Sequence, residues 1–133
     1  MCRAVILLVL MLFIAGCNLT PADAITPIPT PDLPQVEILA PANNRQIFEG
    51  TEFDIDIVAR DSNPGIARVE LFVDGESINS KTPEENTVVP VFRVLMNWRA
   101  AGEGFHVLEV VAYRPDGTQG DAAAINIEVL PRN

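Results

Sequence analysis

The chain has 133 residues, with nine basic and 18 acidic side chains, a net charge of −9 and a hydrophobic fraction of 48%. This length suits one small domain. The acidic surface would repel phosphate backbones, so we expect no nucleic-acid partner.

The N-terminus has the organisation of an export signal. Arg3 supplies a positive charge, and residues 4–15 form an apolar run of twelve residues. That is the length of a signal-peptide core, whereas a membrane-spanning helix needs about 18 apolar residues.

The run ends in Ile14-Ala15-Gly16-Cys17, which resembles the lipobox of bacterial lipoproteins. The resemblance implies a signal peptide over residues 1–16 and a lipid-modified Cys17. The alternative is an ordinary hydrophobic anchor that contains a cysteine.

Processing at Cys17 would change both the thiol content and the charge of the chain. Cys2 leaves with the signal peptide, and no free thiol remains for a disulfide, a metal site or a nucleophile. Loss of Arg3 leaves eight basic and 18 acidic side chains, a balance of −10. We therefore expect contact with the membrane through the N-terminal lipid, on the extracytoplasmic side of the cell membrane.

A proline-rich segment follows the expected lipid site. Residues 17–35 contain prolines at positions 21, 27, 29, 31 and 34, several of them next to threonine. Proline favours the extended polyproline II conformation, at about 3.1 Å per residue. This pattern predicts a semi-rigid linker that holds the following domain away from the membrane.

Residues 36–131 show short alternating runs separated by turn residues, which is typical of an all-β domain. The predicted signal peptide and linker precede this domain. We expect about seven strands within it. The segment from Glu76 to Asn86 is polar and contains Pro83, so it is either an edge strand or a loop. The other strands are centred on residues 36–40, 53–59, 69–73, 92–98, 106–112 and 125–129. The fold class predicted is an immunoglobulin-like β-sandwich.

The domain resembles the bacterial immunoglobulin-like (Big) domains of exported proteins. The matching residues are Val69-Glu70-Leu71-Phe72-Val73-Asp74-Gly75, Trp98 and the stretch Gly104-Phe105-His106-Val107-Leu108-Glu109-Val110-Val111-Ala112. Arg114 stands where the family usually has an aspartate, and the acid follows at Asp116. The resemblance implies the sandwich fold over residues 36–130, and such domains serve as spacers, adhesins and accessory modules.

No pattern in the sequence indicates catalysis or a cofactor. The only histidine, His106, shares parity with Leu108 and Val110, so we expect it in the core or bonded to a turn. No serine lies in a nucleophile motif, and phosphate-loop and zinc-binding patterns are missing. We therefore expect no catalytic residues and no cofactor.

Three carboxylates form a weak candidate calcium site. Asp54 and Asp56 lie two residues apart on one face of a predicted strand, about 6.6 Å from each other, and Asp61 follows at the end of that strand. Oxygen ligands of this kind can bind Ca²⁺. The alternative is a solvated sheet surface with no ion.

An apolar face is the candidate partner site. Phe72, Val107, Val111 and Tyr113 share the outward parity of two strands that neighbour each other in an immunoglobulin topology. A contiguous exposed apolar patch often marks an interaction surface. The alternatives are that the segment 76–90 covers this face or that a neighbouring copy does.

These observations predict a cell-surface lipoprotein whose non-catalytic immunoglobulin-like module serves protein interaction, adhesion or spacing. The other hypothesis is an accessory subunit that binds carbohydrate or cell wall for an extracytoplasmic enzyme. The thin supply of exposed aromatic residues in the predicted strands favours the first hypothesis over the second.

Overall fold

The computed structural model describes residues 32–133, and the predicted signal peptide, Cys17 and most of the predicted linker lie outside the described residues. Eight strands and one short 3₁₀ helix are present in the described part. They are β1 (Gln35–Ala40), β2 (Arg45–Phe48), β3 (Glu52–Arg60), β4 (Arg68–Val73), β5 (Glu76–Lys81), the helix Glu84–Asn86, β6 (Val91–Arg99), β7 (Gly104–Tyr113) and β8 (Ala123–Leu130).

The strands form two sheets. One has three strands in the order β1-β3-β6, and the other has five strands in the order β2-β8-β7-β4-β5. Every pair is antiparallel except β2 with β8, which is parallel. The prediction of an all-β immunoglobulin-like sandwich is confirmed, and the ambiguous segment from Glu76 becomes the edge strand β5 followed by the 3₁₀ helix.

The core lies between the two sheets and is built by alternate residues of the strands. Fully buried side chains come from both sheets, and partly buried aromatic residues, among them Trp98, pack against them. The predicted inward parity of β3, β4 and β7 is thereby confirmed. The largest buried side chains are Ile55, Ile57, Ile66, Leu71, Met96, Leu108 and Ile127.

The turn between β4 and β5 follows directly from its sequence. Asp74 and Gly75 have φ angles of 51° and 84°. Positive φ at both central residues is what a two-residue hairpin of type I′ requires, and Asp-Gly is among its preferred sequences. Asp74 also accepts a hydrogen bond from the backbone N–H of Val107 at 2.9 Å, so the turn is tied to β7.

The first strand begins slightly before its predicted start. Gln35 opens β1, and Pro34 is fully buried, so the packed domain includes residues that the sequence assigned to the linker. Gly120 explains the burial, since a Cβ atom at this position would lie 1.9 Å from the carbonyl oxygen of Pro34. Only glycine allows the chain from β7 to β8 to approach β1 so closely.

Candidate functional site

The outward face of the five-stranded sheet carries the most exposed aromatic side chain of the described residues. Phe105, near the start of β7, is 74% exposed, and Val107, two residues further on the same face, is 42% exposed. Phe48 is also exposed on this face, because its neighbour Ile47 packs against the core. We call Phe48, Phe105 and Val107 the Phe105 patch.

A polar pair lies within the Phe105 patch, between Phe105 on β7 and Phe48 on β2, and leaves both rings exposed. Glu128 is the cross-strand partner of Phe105 on β8 and of Gln46 on β2. The Gln46 side-chain amide donates to the Glu128 carboxylate at 2.7 Å, so the polar atoms satisfy each other. The aromatic ring of Phe105 thus stands beside a hydrogen-bonded polar pair that separates it from Phe48.

The other end of the same face is closed by a charged cluster. Arg68 lies over the ring of Tyr113, with its guanidinium carbon 3.8 Å from the ring centroid, and forms an ion pair with Glu70. Ser77 donates a hydrogen bond to Glu70, and this bond, with the Arg68 contact, holds the pKa of Glu70 below its usual value. Burial and the neighbouring Glu70 carboxylate raise the pKa of Tyr113.

This cluster changes the predicted partner face. Val111 is only 6% exposed, because its cross-strand neighbour is Glu70, a member of the cluster, so Val111 offers almost no surface to a partner. Phe72 and Tyr113 are partly exposed. Of the four residues predicted from parity, Val107 alone reaches the open end of the face.

Two residues of the patch were missed from the sequence. Phe105 has the same parity as Val107 and belongs to the stretch that resembles the immunoglobulin-like family, so its outward direction could have been found from alternation alone. Phe48 had no such signal. It lies on β2, which has four residues and no alternating run long enough to predict a strand.

The three candidate calcium ligands are engaged with other side chains. Asp56 accepts two hydrogen bonds from Arg93, at 2.6 and 3.0 Å, and these lower the pKa of Asp56. Asp54 is exposed beside Asn97, whose side-chain amide donates to it at 3.2 Å. In the range 32–133 no group of three or more acidic, histidine or cysteine side chains is placed to hold a metal ion.

Asp61 is separated from the other two carboxylates by burial. Its side chain is 1% exposed and accepts hydrogen bonds from Arg114 at 2.7 and 3.0 Å. Asp61 follows β3 of the three-stranded sheet, whereas Arg114 follows β7 of the five-stranded sheet, so the pair joins the two sheets. This pair also gives a role to Arg114, the position where the sequence departs from the family pattern.

His106 is bonded through both ring nitrogens. Nδ1 lies 2.6 Å from the Asp74 carboxylate and Nε2 lies 2.7 Å from the carbonyl oxygen of Gly102. Burial opposes protonation, but these two acceptors outweigh it and raise the pKa of His106 above its usual value. His106 thereby ties the turn between β4 and β5 to the loop before β7; of the two positions that the sequence left open, the core or a bond to a turn, the structure shows bonds to turns.

An open groove borders Phe48 where β1 ends and β2 begins. Its volume is about 530 Å³, and its walls are mainly apolar. The apolar side chains come from Ala40, Pro41, Ile47, Phe48 and Phe53. Phe48 therefore connects the groove to the Phe105 patch.

No helix in the described part of the chain is long and apolar enough to cross a membrane.

A family model described as "Bacterial Ig domain" matches residues 34–110, which run from the residue before β1 into β7. Among curated proteins, none matches the sequence.

Several solved structures share the fold. Fibronectin(III)-like modules of CbhA from Clostridium thermocellum are 29% identical with a TM-score of 0.63, covering 74% of this chain and 100% of theirs. The CARDB domain of a Pyrococcus furiosus protein is 13% identical with a TM-score of 0.54, covering 78% of this chain and 100% of that domain. The SrpA adhesin from Streptococcus sanguinis is 15% identical with a TM-score of 0.54, covering 77% of this chain and 59% of the adhesin chain.

Proposed function

Because the chain belongs to the bacterial Ig domain family, we propose that it is a non-catalytic, extracytoplasmic module that binds a partner protein through the Phe105 patch. The observation that carries this proposal is the exposure of Phe105, at 74%, next to Val107 on the outward face of the five-stranded sheet. Aromatic side chains are enriched among the residues that dominate binding energy at protein interfaces. The patch supplies such a residue next to a polar pair, Gln46 and Glu128, whose hydrogen bond is already formed.

The rest of the domain supports a binding role. His106, the one histidine, has both ring nitrogens bonded, and the buried carboxylate of Asp61 is paired with Arg114. Within residues 32–133 every buried side-chain nitrogen and oxygen has a hydrogen-bond partner. His106, Asp61 and Arg114 are thus committed to holding the fold, whereas Phe105 and Val107 are exposed to solvent.

Replacing Phe105 by aspartate together with Val107 by serine should abolish capture of the partner protein from cell-envelope extracts. The variant removes the apolar centre of the patch and adds a charge to it, and an aromatic anchor contributes about 2 kcal/mol or more to binding, roughly a 30-fold change in affinity. The measurement is a pull-down with the purified chain as bait, followed by a thermal melt to verify folding.

The matched control for this experiment is Leu39→Ser. Leu39 is 43% exposed, close to the 42% of Val107, but it lies on β1 in the other sheet. We expect this control to capture the same protein as the wild-type chain. Equal capture by the Phe105 and Val107 double variant would refute binding at the patch.

We further propose that the module is attached to the membrane through lipid on Cys17. The support lies in the sequence, where Ile14-Ala15-Gly16-Cys17 follows an apolar run of twelve residues. A proline-rich segment then separates Cys17 from the packed domain, which would place the Phe105 patch above the membrane surface. Several acyl chains on one cysteine give stable anchoring, since each buried CH₂ contributes about 0.8 kcal/mol.

Intact-mass spectrometry of the chain expressed in a bacterial host tests the lipid. We expect loss of residues 1–16 and addition of diacylglycerol to Cys17, with the protein in the membrane fraction. Cys17→Ser should eliminate the added mass completely, whereas Cys2→Ser, which replaces the other cysteine, should leave it unchanged. An uncleaved N-terminus without added lipid would rule out this attachment.

A second candidate function is carbohydrate binding as an accessory module of an extracytoplasmic enzyme. The observation in its favour is that two phenylalanines, Phe48 and Phe105, are exposed on the same sheet face, more aromatic surface than the sequence led us to expect. A polysaccharide pull-down separates the two functions. Retention on insoluble cell-wall polysaccharide that is lost in Phe48→Ala would favour the carbohydrate, and lack of retention would favour the protein partner.

A further inference from the structure

Strand β6 is an edge of the three-stranded sheet, and no strand of the described residues is hydrogen-bonded to its free side, although β5 of the other sheet passes close to β6. The direction of the backbone groups follows from the bonds at its two ends. Just after β6, the backbone N–H of Ala100 donates to the Thr51 carbonyl at 2.9 Å. Just before β6, the Pro90 carbonyl accepts from the backbone N–H of Asp61 at 2.9 Å. Even-numbered residues of β6 therefore direct their backbone groups toward β3. Backbone groups alternate in direction along an antiparallel strand. The odd-numbered residues from Val91 to Arg99 therefore point their N–H and C=O groups away from β3.

Apart from the charged side chains of Arg93 and Arg99, this free side lacks the features that usually protect a sheet edge. Strand β6 has nine residues, contains no proline and pairs with β3 without a register shift. The other edges are shorter, and the ladders of β1 and β5 contain a shift in register. Leu95, at the middle of β6, is 58% exposed. A long, regular edge with an exposed leucine at its centre is suited to pairing with another strand.

We propose that this edge pairs with β6 of a second copy of the chain, antiparallel and with Leu95 on the two-fold axis. In this register Val91 faces Arg99 of the second copy, Arg93 faces Asn97, and Leu95 faces Leu95. All five outward-pointing residues of β6 then exchange backbone hydrogen bonds. Two-fold pairing of identical surfaces is the commonest form of protein dimer.

Charge selects this register over its neighbours. Centring the pair on Arg93 would place two arginines opposite each other, and centring it on Met96 would place Arg93 opposite Arg99. Like charges directly opposite each other destabilise a strand pair. Centring on Val94 would leave Arg99 without a partner. The register centred on Leu95 is the one that uses the whole strand and opposes no like charges.

The side chains of the proposed pair are complementary on both faces. On the core side, Phe92 would face Trp98 of the second copy, and both are only partly buried in one chain because β6 ends its sheet. Aromatic cross-strand pairs of this kind stabilise sheets. On the outward side, Arg93 would face Asn97 of the second copy, and each keeps its hydrogen bond to an aspartate of its own β3, Asp56 for Arg93 and Asp54 for Asn97.

The dimer would leave the proposed binding surface free. The Phe105 patch lies on the outward face of the five-stranded sheet, whereas β6 belongs to the three-stranded sheet. Pairing through β6 would therefore present two patches at once. Two linked binding sites gain avidity without any new contact at either site.

Cysteine cross-linking tests both the pairing and its register. The background is the full chain with Cys2 and Cys17 replaced by serine and solubilised in mild detergent, which removes the native thiols and any dependence on lipid. Leu95→Cys should form a disulfide-linked dimer, because hydrogen-bonded antiparallel pairs place their Cα atoms about 5.5 Å apart, within the range of a disulfide. Non-reducing electrophoresis after mild oxidation gives the dimer fraction.

The register is tested by two further variants. Arg93→Cys and Asn97→Cys should each remain mainly monomeric alone but should cross-link when mixed, since these positions face each other in the dimer. Leu39→Cys, at a leucine of β1 that is 43% exposed against 58% for Leu95, is the control for random collision. The proposal would be overturned if Leu95→Cys stays monomeric while retaining its thermal transition. It would also be overturned if Arg93→Cys alone cross-links as much as the mixture of Arg93→Cys and Asn97→Cys, or if Leu95→Cys forms its disulfide with a different protein.

A variant without cysteine completes the test. Leu95→Lys places two positive charges on the two-fold axis while leaving the bonds to β3 intact, and Leu95 is exposed enough for lysine to be tolerated in one chain. Sedimentation equilibrium should show wild-type dimers and Leu95→Lys monomers, with at least a tenfold difference in the dissociation constant. Unchanged dimerisation of Leu95→Lys would place the contact elsewhere and overturn the proposal.

Discussion

Replacing Asp61 by alanine is expected to destabilise the domain by about 3–5 kcal/mol, the range measured when one partner of a buried ion pair is removed. The Asp61 side chain is 1% exposed and accepts two hydrogen bonds from Arg114 and a third, at 3.3 Å, from the backbone N–H of Gly65. The variant leaves the guanidinium without its main acceptor and unties the loop after β3. Urea unfolding followed by tryptophan fluorescence, with Trp98 as the probe, measures the loss.

The pH dependence gives this prediction a second readout. The hydrogen bond from Arg114 holds the pKa of Asp61 below its usual value. A carboxyl group with a lowered pKa in the folded state contributes stability above its unfolded pKa of about 3.9, and this contribution is lost as pH falls through the folded value. The difference between wild-type chain and Asp61→Ala should therefore be full at pH 7 and smaller at pH 3.

The control variant is Asp56→Ala, which also removes a carboxylate bonded twice by an arginine. Arg93, the partner of Asp56, extends into solvent, where ion pairs contribute little. We expect a small shift of the urea midpoint in Asp56→Ala and a large one in Asp61→Ala. Similar shifts in the two variants would contradict a structural role for the pair that joins the sheets.

Alternation of apolar and polar residues was sufficient to predict most of the fold. It located six of the eight strands, and the Asp74-Gly75 sequence located the tightest hairpin, because both signals are local. Strand β2 could not be predicted in this way, since its four residues Arg45–Phe48 become a strand only by pairing with β8, some 80 residues later in the chain. Its formation depends on tertiary contacts, which a local pattern does not contain.

Contacts between segments that are far apart in the sequence could not be predicted either. The pair Asp61–Arg114 joins residues separated by 53 positions, and the contact of Gly120 with Pro34 joins residues from opposite ends of the domain. Each of these residues is an ordinary loop residue when viewed alone. The charge pattern suggested a calcium site for Asp61, whereas burial beside an arginine from the other sheet gives it a structural role.

The candidate site could be predicted only in part, because the exposure of a residue also depends on contacts between distant segments. Parity gave the outward direction of Val107 and Val111 on β7, but direction alone does not determine exposure. Val111 faces outward and is nevertheless buried, because Arg68, Glu70 and Tyr113 form a cluster around that end of the sheet. Phe105 has no such neighbours, and its exposure became evident only when the ends of the two strands were placed in space.

Replacing Leu71 by alanine is the second change with a large expected effect, a loss of about 2–5 kcal/mol. Leu71 is fully buried near the middle of β4 and belongs to the core that both sheets share. Truncation removes apolar contacts and leaves a cavity that the surrounding strands cannot fully close. For a domain of this size, each kcal/mol corresponds to about 4–8 °C in melting temperature, so the thermal midpoint should fall by at least about 8 °C.

The matched control is Leu39→Ala, which deletes the same atoms from a leucine that is 43% exposed on β1. We expect its melting temperature to stay within a few degrees of the wild-type value, because much of this side chain is already in water. The comparison therefore isolates the contribution of burial between the two sheets from the chemistry of the substitution. Comparable losses in the two leucine variants would mean that the contact between the sheets is not the main source of stability, and the sandwich described here would have to be packed differently around β4.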